Sequence, residues 1–212
     1  MQDTGIVGQV KRSIGASIAV KQELLADAVA IQQIATVADA AVRSIEAGGK
    51  LILFGNGGSA GDAQHIAAEF VGRFAMERRA LPALALSVNT SCLTAIGNDY
   101  GYDQIFARQM EALGRPGDMA IGISTSGKSL NVLRGLEQAR ALGLYTAALT
   151  GGSGGTLKSC VDHCICVPSA STARIQECHI LIGHIIAELV EATLCDADRH
   201  SSNNRTVVFT LK

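Results

Sequence analysis

Apolar residues in the first fifty positions recur at helical spacing in two runs, Val7, Val10, Ile14 and Ile18, then Ile31, Ile34, Ala38, Ala41 and Ile45. They predict two helices within residues 5–47. Ala47-Gly48-Gly49 ends the second, and Lys50 to Phe54 opens a series of short apolar runs, each followed by a longer amphipathic stretch. Strands are expected there and at Ala83–Val88, Met119–Ser124, Tyr145–Thr150 and His163–Val167. Helices are expected after Ser59, near Asp103, after Gly127 and after Ala173. The alternation implies an α/β fold, a doubly wound five-stranded parallel sheet with right-handed crossovers. No repeat, low-complexity tract or linker divides the chain, so residues 1–195 read as one domain. Residues 196–212 turn polar and are expected to form a frayed tail.

Composition adds three constraints. Of the 212 residues, 48% are hydrophobic and only 17% charged, which excludes disorder and leaves few charges to cover a monomer, so an oligomer is expected. A net charge of −1 gives no broad electrostatic footprint for nucleic acid or an anionic membrane, and any bound anion must be gripped locally. Glycine outnumbers proline 23 to 3, as many tight strand-to-helix turns require. No unbroken apolar run approaches the roughly 18 residues of a spanning helix, and the start lacks a signal-peptide pattern. A cytosolic protein is expected. The six cysteines show no disulfide framework. Cys160, His163, Cys164 and Cys166 can be read as a metal cluster, or as small hydrophobes along a strand, and the alternation in HCICV favours the strand.

Two glycine-bearing loops follow expected strands. Gly55-Asn56-Gly57-Gly58-Ser59-Ala60 satisfies GxGxxA, yet the next strand offers no carboxylate for a ribose, so no nucleotide cofactor is expected. No Walker A spacing occurs. Ser124-Thr125-Ser126-Gly127-Lys128-Ser129 lines up hydroxyls at the mouth of a helix, as a phosphate cradle or as a serine-capped turn. Its place beyond a strand's carboxyl end favours the cradle. His65 and Glu69 stand at i and i+4, able to meet one ligand or to form a solvated stripe. His184 lies in the apolar run Ile180 to Ile186, either as a satisfied core imidazole or as a group presented to a buried site.

Taken together, GNGGSAGDAQHIAAE, GNDYG, GISTSGKS and RIQE-x-H with a later histidine resemble the phosphoheptose (sedoheptulose 7-phosphate) isomerases of the sugar isomerase, or SIS, fold. The resemblance extends to about Cys195. It implies that Asn56, Gly57 and Gly58 line a sugar site, that Asn98 and Asp99 touch substrate, and that Ser124, Thr125, Ser126 and Ser129 bind phosphate. His65, Glu69, Gln176 and His184 would form the catalytic and zinc-binding set, in a homotetramer with active sites at subunit interfaces. Some members carry an aspartate where this chain has Ala173. The implied reaction converts sedoheptulose 7-phosphate to D-glycero-D-manno-heptose 7-phosphate on the route to activated heptose for lipopolysaccharide or capsule. Moving a proton between C1 and C2 through an enediol needs a base for carbon and an acid for oxygen, roles that Glu69 and His184 fit. Zinc would lower the basicity of a Glu69 bound to it. The alternative is a non-catalytic SIS regulator that binds a replication initiator, from which retention of all four acid–base and ligand residues distinguishes this chain.

Overall fold

The computed structural model describes residues 5–203. The apolar run of the first fifty residues forms α1 (Ile6–Ala26) and α2 (Ala28–Glu46), bent by 79° at Asp27. Asp27 makes the break: its carboxylate accepts the amides of Val29 and Ala30 at 2.9 and 3.0 Å and so caps α2. The sheet comprises β1 (Leu51–Gly55), β2 (Ala83–Ala85), β3 (Met119–Ser124), β4 (Tyr145–Gly151) and β5 (His163–Val167), parallel throughout in the order β2-β1-β3-β4-β5. Between them run α3 (Gly58–Val71), α4 (Thr90–Tyr100), α5 (Ile105–Leu113) and α6 (Leu130–Ala141), and α7 (Thr172–Asn203) closes the described chain.

The strand pattern explains the layers. Leu51 and Leu53 face a core shared with α2, α3 and α7, while Ile52 and Phe54 face a second core with α5 and α6. Both faces are covered, so the strands read as continuous apolar runs rather than alternating ones. At the amino edge, Asp118 accepts the amides of Lys50 and Arg115 at 2.9 and 2.8 Å and pairs with the Lys50 ammonium at 2.5 Å, tying β1 to β3. The carboxyl edge holds the glycine loops. Order reverses between β1 and β3, which makes the gap between their loops the switch point where such folds bind ligands.

Two expectations need correction. β2 stops at Ala85 rather than Val88, because the chain turns there so that Asn89 can cap α4 by accepting the Cys92 amide at 3.0 Å. The helix near Asp103 is two pieces, a single 3₁₀ turn at Tyr102–Gln104 followed by α5, and α4 precedes both. Thr172–Cys195 is long and apolar enough on average to cross a membrane, although Glu177, His179, His184, Glu188 and Glu191 interrupt it, as the absence of an unbroken apolar run requires. It is over half buried, and α7 packs on α2 and α3, so its hydropathy is that of a core helix. α7 continues beyond residue 195 to Asn203, and positions 204–212 lie outside the described residues.

α7 also holds the loop that follows α3. Glu191, 1% exposed, accepts the amides of Phe74, Ala75 and Met76 and pairs with Arg78 at 3.0 Å. Arg78 in turn donates to the carbonyls of Glu69 and Phe70 at 2.8 and 2.9 Å. Burial raises the cost of this carboxylate's charge, but the three amides and the guanidinium outweigh it and hold its pKa below the usual range. Its contribution to stability is therefore present at neutral pH and lost as pH falls through the carboxylate range. Glu191→Ala strands a buried guanidinium and three amides, and is expected to cost about 3–5 kcal/mol, lowering Tm by roughly 10 °C in calorimetry at pH 7.

Candidate functional site

The site is assembled where α3 and α7 cross. At Gly183 a Cβ would collide with the side chain of Ile66, so only glycine permits this approach. The next residue on each side of the contact is a histidine. His65 Nε2 and His184 Nε2 lie 3.0 Å apart, one donating and the other accepting, and His65 Nε2 is 3.1 Å from Glu69 Oε1. The i, i+4 spacing of His65 and Glu69 thus puts both on the face of α3 that meets α7. The Phe74 ring packs at 5.6 Å against the outer side of His184, and the Glu191 clamp fixes Phe74.

One candidate atom from each of His65, Glu69 and His184 lies within 4.8 Å of the other two. Two imidazole nitrogens and a carboxylate oxygen converging in this way match zinc, whose tetrahedral ligand nitrogens at 2.0–2.1 Å stand about 3.3 Å apart. Gln176, the fourth residue expected in the set, lies two turns before His184 with its amide packed on the Cα of Gly58. It thereby joins α7 to the loop after β1. The core-imidazole reading fits a neighbour instead: His179 is fully buried, donates Nε2 to the Thr150 carbonyl at 3.1 Å, and is pushed down to about 4 by burial.

Around the switch point the two loops are locked together. Asn56, after β1, exchanges two 2.8 Å hydrogen bonds with Asn131 on α6, and the Tyr102 hydroxyl donates to Asn56 Oδ1 at 3.1 Å. Thr125 and Ser126 line a cavity of about 640 Å³ together with Lys128, Gly151–Ser153 and the start of α7. Ser124 and Ser129 bond to each other at 2.9 Å, with Ser124 buried beneath the loop. Asn98 and Asp99 sit on α4, where the Asn98 amide donates to Asp99 at 2.8 Å and Asp99 borders a separate apolar groove between α3, α4 and α5.

Asp62, one turn before His65, stands in the same stretch with no role that spacing assigns. Its Oδ2 is buried without a partner, and burial raises its pKa to about 6, against the opposing pull of His65. The signal was its i−3 spacing from His65, but an aspartate in the first turns of a helix reads equally as a dipole partner. Asn131 and Tyr102 carried no signal at all, since neither stands in a loop motif.

Comparison with known proteins places these features. Residues 17–151 match the family model for the SIS domain. A phosphoheptose isomerase of Roseiflexus is 61% identical over 161 residues, covering 76% of this chain and 82% of the relative. One from Aquifex aeolicus is 58% identical over 165 residues, 78% and 86% of the two chains. The solved phosphoheptose isomerase of Francisella tularensis superposes with a TM-score of 0.85 at 40% identity, over 89% of this chain and 100% of that one. The Neisseria gonorrhoeae structure gives 0.83 at 41%, with the same coverage.

The elevated pKa of Asp62 has a thermodynamic signature. A carboxyl that is easier to protonate when folded favours the folded state at low pH and loses that advantage as pH rises from about 4 through about 6. Asp62→Asn should therefore leave stability unchanged at pH 4 and raise it by about 1 kcal/mol at pH 8, after allowance for solvent screening, in paired urea titrations.

Proposed function

This chain belongs to the SIS-domain family and, within it, to the phosphoheptose isomerases, and from that premise we infer that it interconverts sedoheptulose 7-phosphate and D-glycero-D-manno-heptose 7-phosphate. The observation that carries the reading is the convergence of His65, Glu69 and His184 where α3 meets α7. A binding protein needs the hydroxyl loop after β3 but not this cluster, so the cluster disfavours the regulator.

The substrate's phosphate enters the cavity bordered by Thr125 and Ser126 and takes hydrogen bonds from their hydroxyls and from backbone amides of the loop. Ser124 and Ser129 brace the loop from below. The sugar then lies toward Gly57, Gly58 and Asn56, which Asn131 orients, with Gln176 reaching its hydroxyls from α7. The family resemblance alone adds Asn98 and Asp99, on α4, as substrate contacts. Glu69 takes the proton from one carbon and returns it to the next, while His184 serves the oxygen, donating as the carbonyl gains charge and accepting when the hydroxyl reopens. His65 holds Glu69 in place by their 3.1 Å contact.

His65, Glu69 and His184, with Gln176 as a fourth and weaker ligand, would hold a zinc ion, whose chemistry there is to polarise substrate oxygens and stabilise enediolate charge. A homotetramer is supported by the apolar stripe Ile6, Val7, Val10, Ile14 and Ile18, all more than half exposed on α1. Six free thiols fit a reducing cytosol. The product would feed activated heptose for lipopolysaccharide or capsule. Residues 1–195 would act as one SIS unit.

Purified protein mixed with sedoheptulose 7-phosphate should form the aldose, followed by NMR. Glu69→Gln keeps the shape and removes the base, so kcat should fall at least about a hundredfold, and exchange of the C1 proton with solvent deuterium should cease. Parental turnover in a folded Glu69→Gln protein would overturn the assignment. Thr125→Val combined with Ser126→Ala should mainly raise KM, by about tenfold or more for each hydrogen bond lost to a charged group. An unchanged KM would place the phosphate elsewhere.

A further inference from the structure

Outside this site the described chain holds a second group of reactive side chains, on the edge strand β5. Cys164 and Cys166 point to the same face, with their sulfurs 3.7 Å apart. The Thr150 hydroxyl on β4 lies 3.4 Å from each. Both thiols border a cavity of about 250 Å³ that also reaches Lys158, Asp27 and Gln33, and both are partly exposed. A hydrophobic strand needs none of this. Two sulfurs held within hydrogen-bond distance, a hydroxyl shared between them, an ammonium nearby and an opening to solvent are the surroundings of a nucleophilic thiolate backed by a second thiol.

We propose that Cys166 and Cys164 form a thiol–disulfide exchange site, with Cys166 the attacking sulfur, Cys164 the resolving sulfur and a small-molecule disulfide the co-substrate. Cys166 thiolate attacks one sulfur of that disulfide, making a mixed disulfide and expelling a thiolate. Cys164 gives its proton to the departing thiolate and attacks Cys166, closing a bond between the two residues and expelling the second small molecule as a thiolate, which takes its proton from water. Two protein thiols are oxidised and one disulfide is reduced. The order of attack follows from the geometry: Cys166 Sγ and the Lys158 stem pack on the same glycine, Gly154, and the Thr150 hydroxyl donates to Cys166 Sγ. The hydrogen bond from Cys164 first, then Thr150 and Lys158, hold the Cys166 thiol down at about 6 against burial and the Asp27 carboxylate. The same bond to Cys166, with burial, pushes Cys164 up. The two residues are separated by one position in a strand, so their Cα atoms stand about 6.5 Å apart, near the upper limit for a disulfide. The bridge would form under strain and be readily reduced, as a reversible modification requires.

The pair is also placed to reach the phosphate loop. At Gly154 a Cβ would stand 2.9 Å from Cys166 Sγ, and on its other side the Gly154 carbonyl abuts Gly127, whose φ of +64° and lack of space admit no side chain. The Gly127 carbonyl accepts from the Leu157 amide and the Thr156 hydroxyl, both at 3.1 Å. Displacing the Cys166 sulfur moves the turn on which Gly127 rests.

Oxidised glutathione is the probe, applied to the intact protein at pH 7, with Ser159–Arg174 recovered as one tryptic peptide that holds Cys160, Cys164 and Cys166. The peptide should lose two hydrogens. Cys164→Ser should trap glutathione on residue 166, Cys166→Ser should leave residue 164 unmodified, and Cys160→Ser should behave as parent. Under brief iodoacetamide treatment Cys166 should react about tenfold faster than Cys160. The bridged protein should show a KM raised up to about tenfold, restored by dithiothreitol. Adducts confined to Cys160 or Cys92, or a bridge that survives Cys166→Ser, would overturn the proposal. An unchanged KM in bridged protein would overturn the link to the loop. That link alone rests on the isomerase reading, and the mass readouts do not.

Discussion

The close crossing of α3 and α7 is the constraint on which the site depends. Two helices ordinarily keep 8–10 Å between axes, and side chains at the crossing set that spacing. Removing the side chain at position 183 lets Ile66 seat directly on the α7 backbone, and this brings the imidazoles of residues 65 and 184 edge to edge. A second attachment lies two turns further along α7, where Glu191 and Arg78 hold the segment that leaves α3. The reacting groups therefore hang between two fixed points, on rigid helices rather than on a loop, and the Phe74 ring closes the outer side.

The opposite half of the site is built on a different principle. A protein with net charge −1 draws no anion from a distance, so the proposed phosphate end would rely on short-range directional donors at the carboxyl edge of β3. The reciprocal amide bonds between Asn56 and Asn131 cross the switch point and fix the separation of the two loops. In the proposed site, the phosphate and the reacting carbons would both be positioned from this one sheet edge.

Periodicity alone gave the strand and helix alternation, because burial on both faces makes each strand an unbroken apolar run and each helix a one-sided stripe. It missed the end of β2, where Asn89 capping overrides a continuing apolar pattern, and it missed α4, whose residues are all at least partly exposed. His65 and Glu69 were legible through i, i+4 spacing. The resemblance picked out His184, whereas periodicity alone does not separate it from His179, since both sit in one apolar helix and their angular positions decide which meets α3 and which meets the core. Asp62 is not legible in the sequence, because an unpartnered buried oxygen is a property of surroundings that no local pattern encodes. The cysteines of β5 alternated as a buried strand should, and the approach of their sulfurs was equally invisible.

α7 meets three separate demands along one rod: Gln176 at the glycine loop, His184 at the contact with His65 and Glu191 at the clamp. A helix advances 100° and 1.5 Å per residue, so inserting or deleting a single position between any two of these would swing everything beyond it a quarter-turn or more off its target. Substitution on the outward face is free, whereas length is not. Descent within this lineage can thus rewrite most letters of the helix but must preserve its count, and gaps should accumulate anywhere in the chain sooner than between residues 176 and 191.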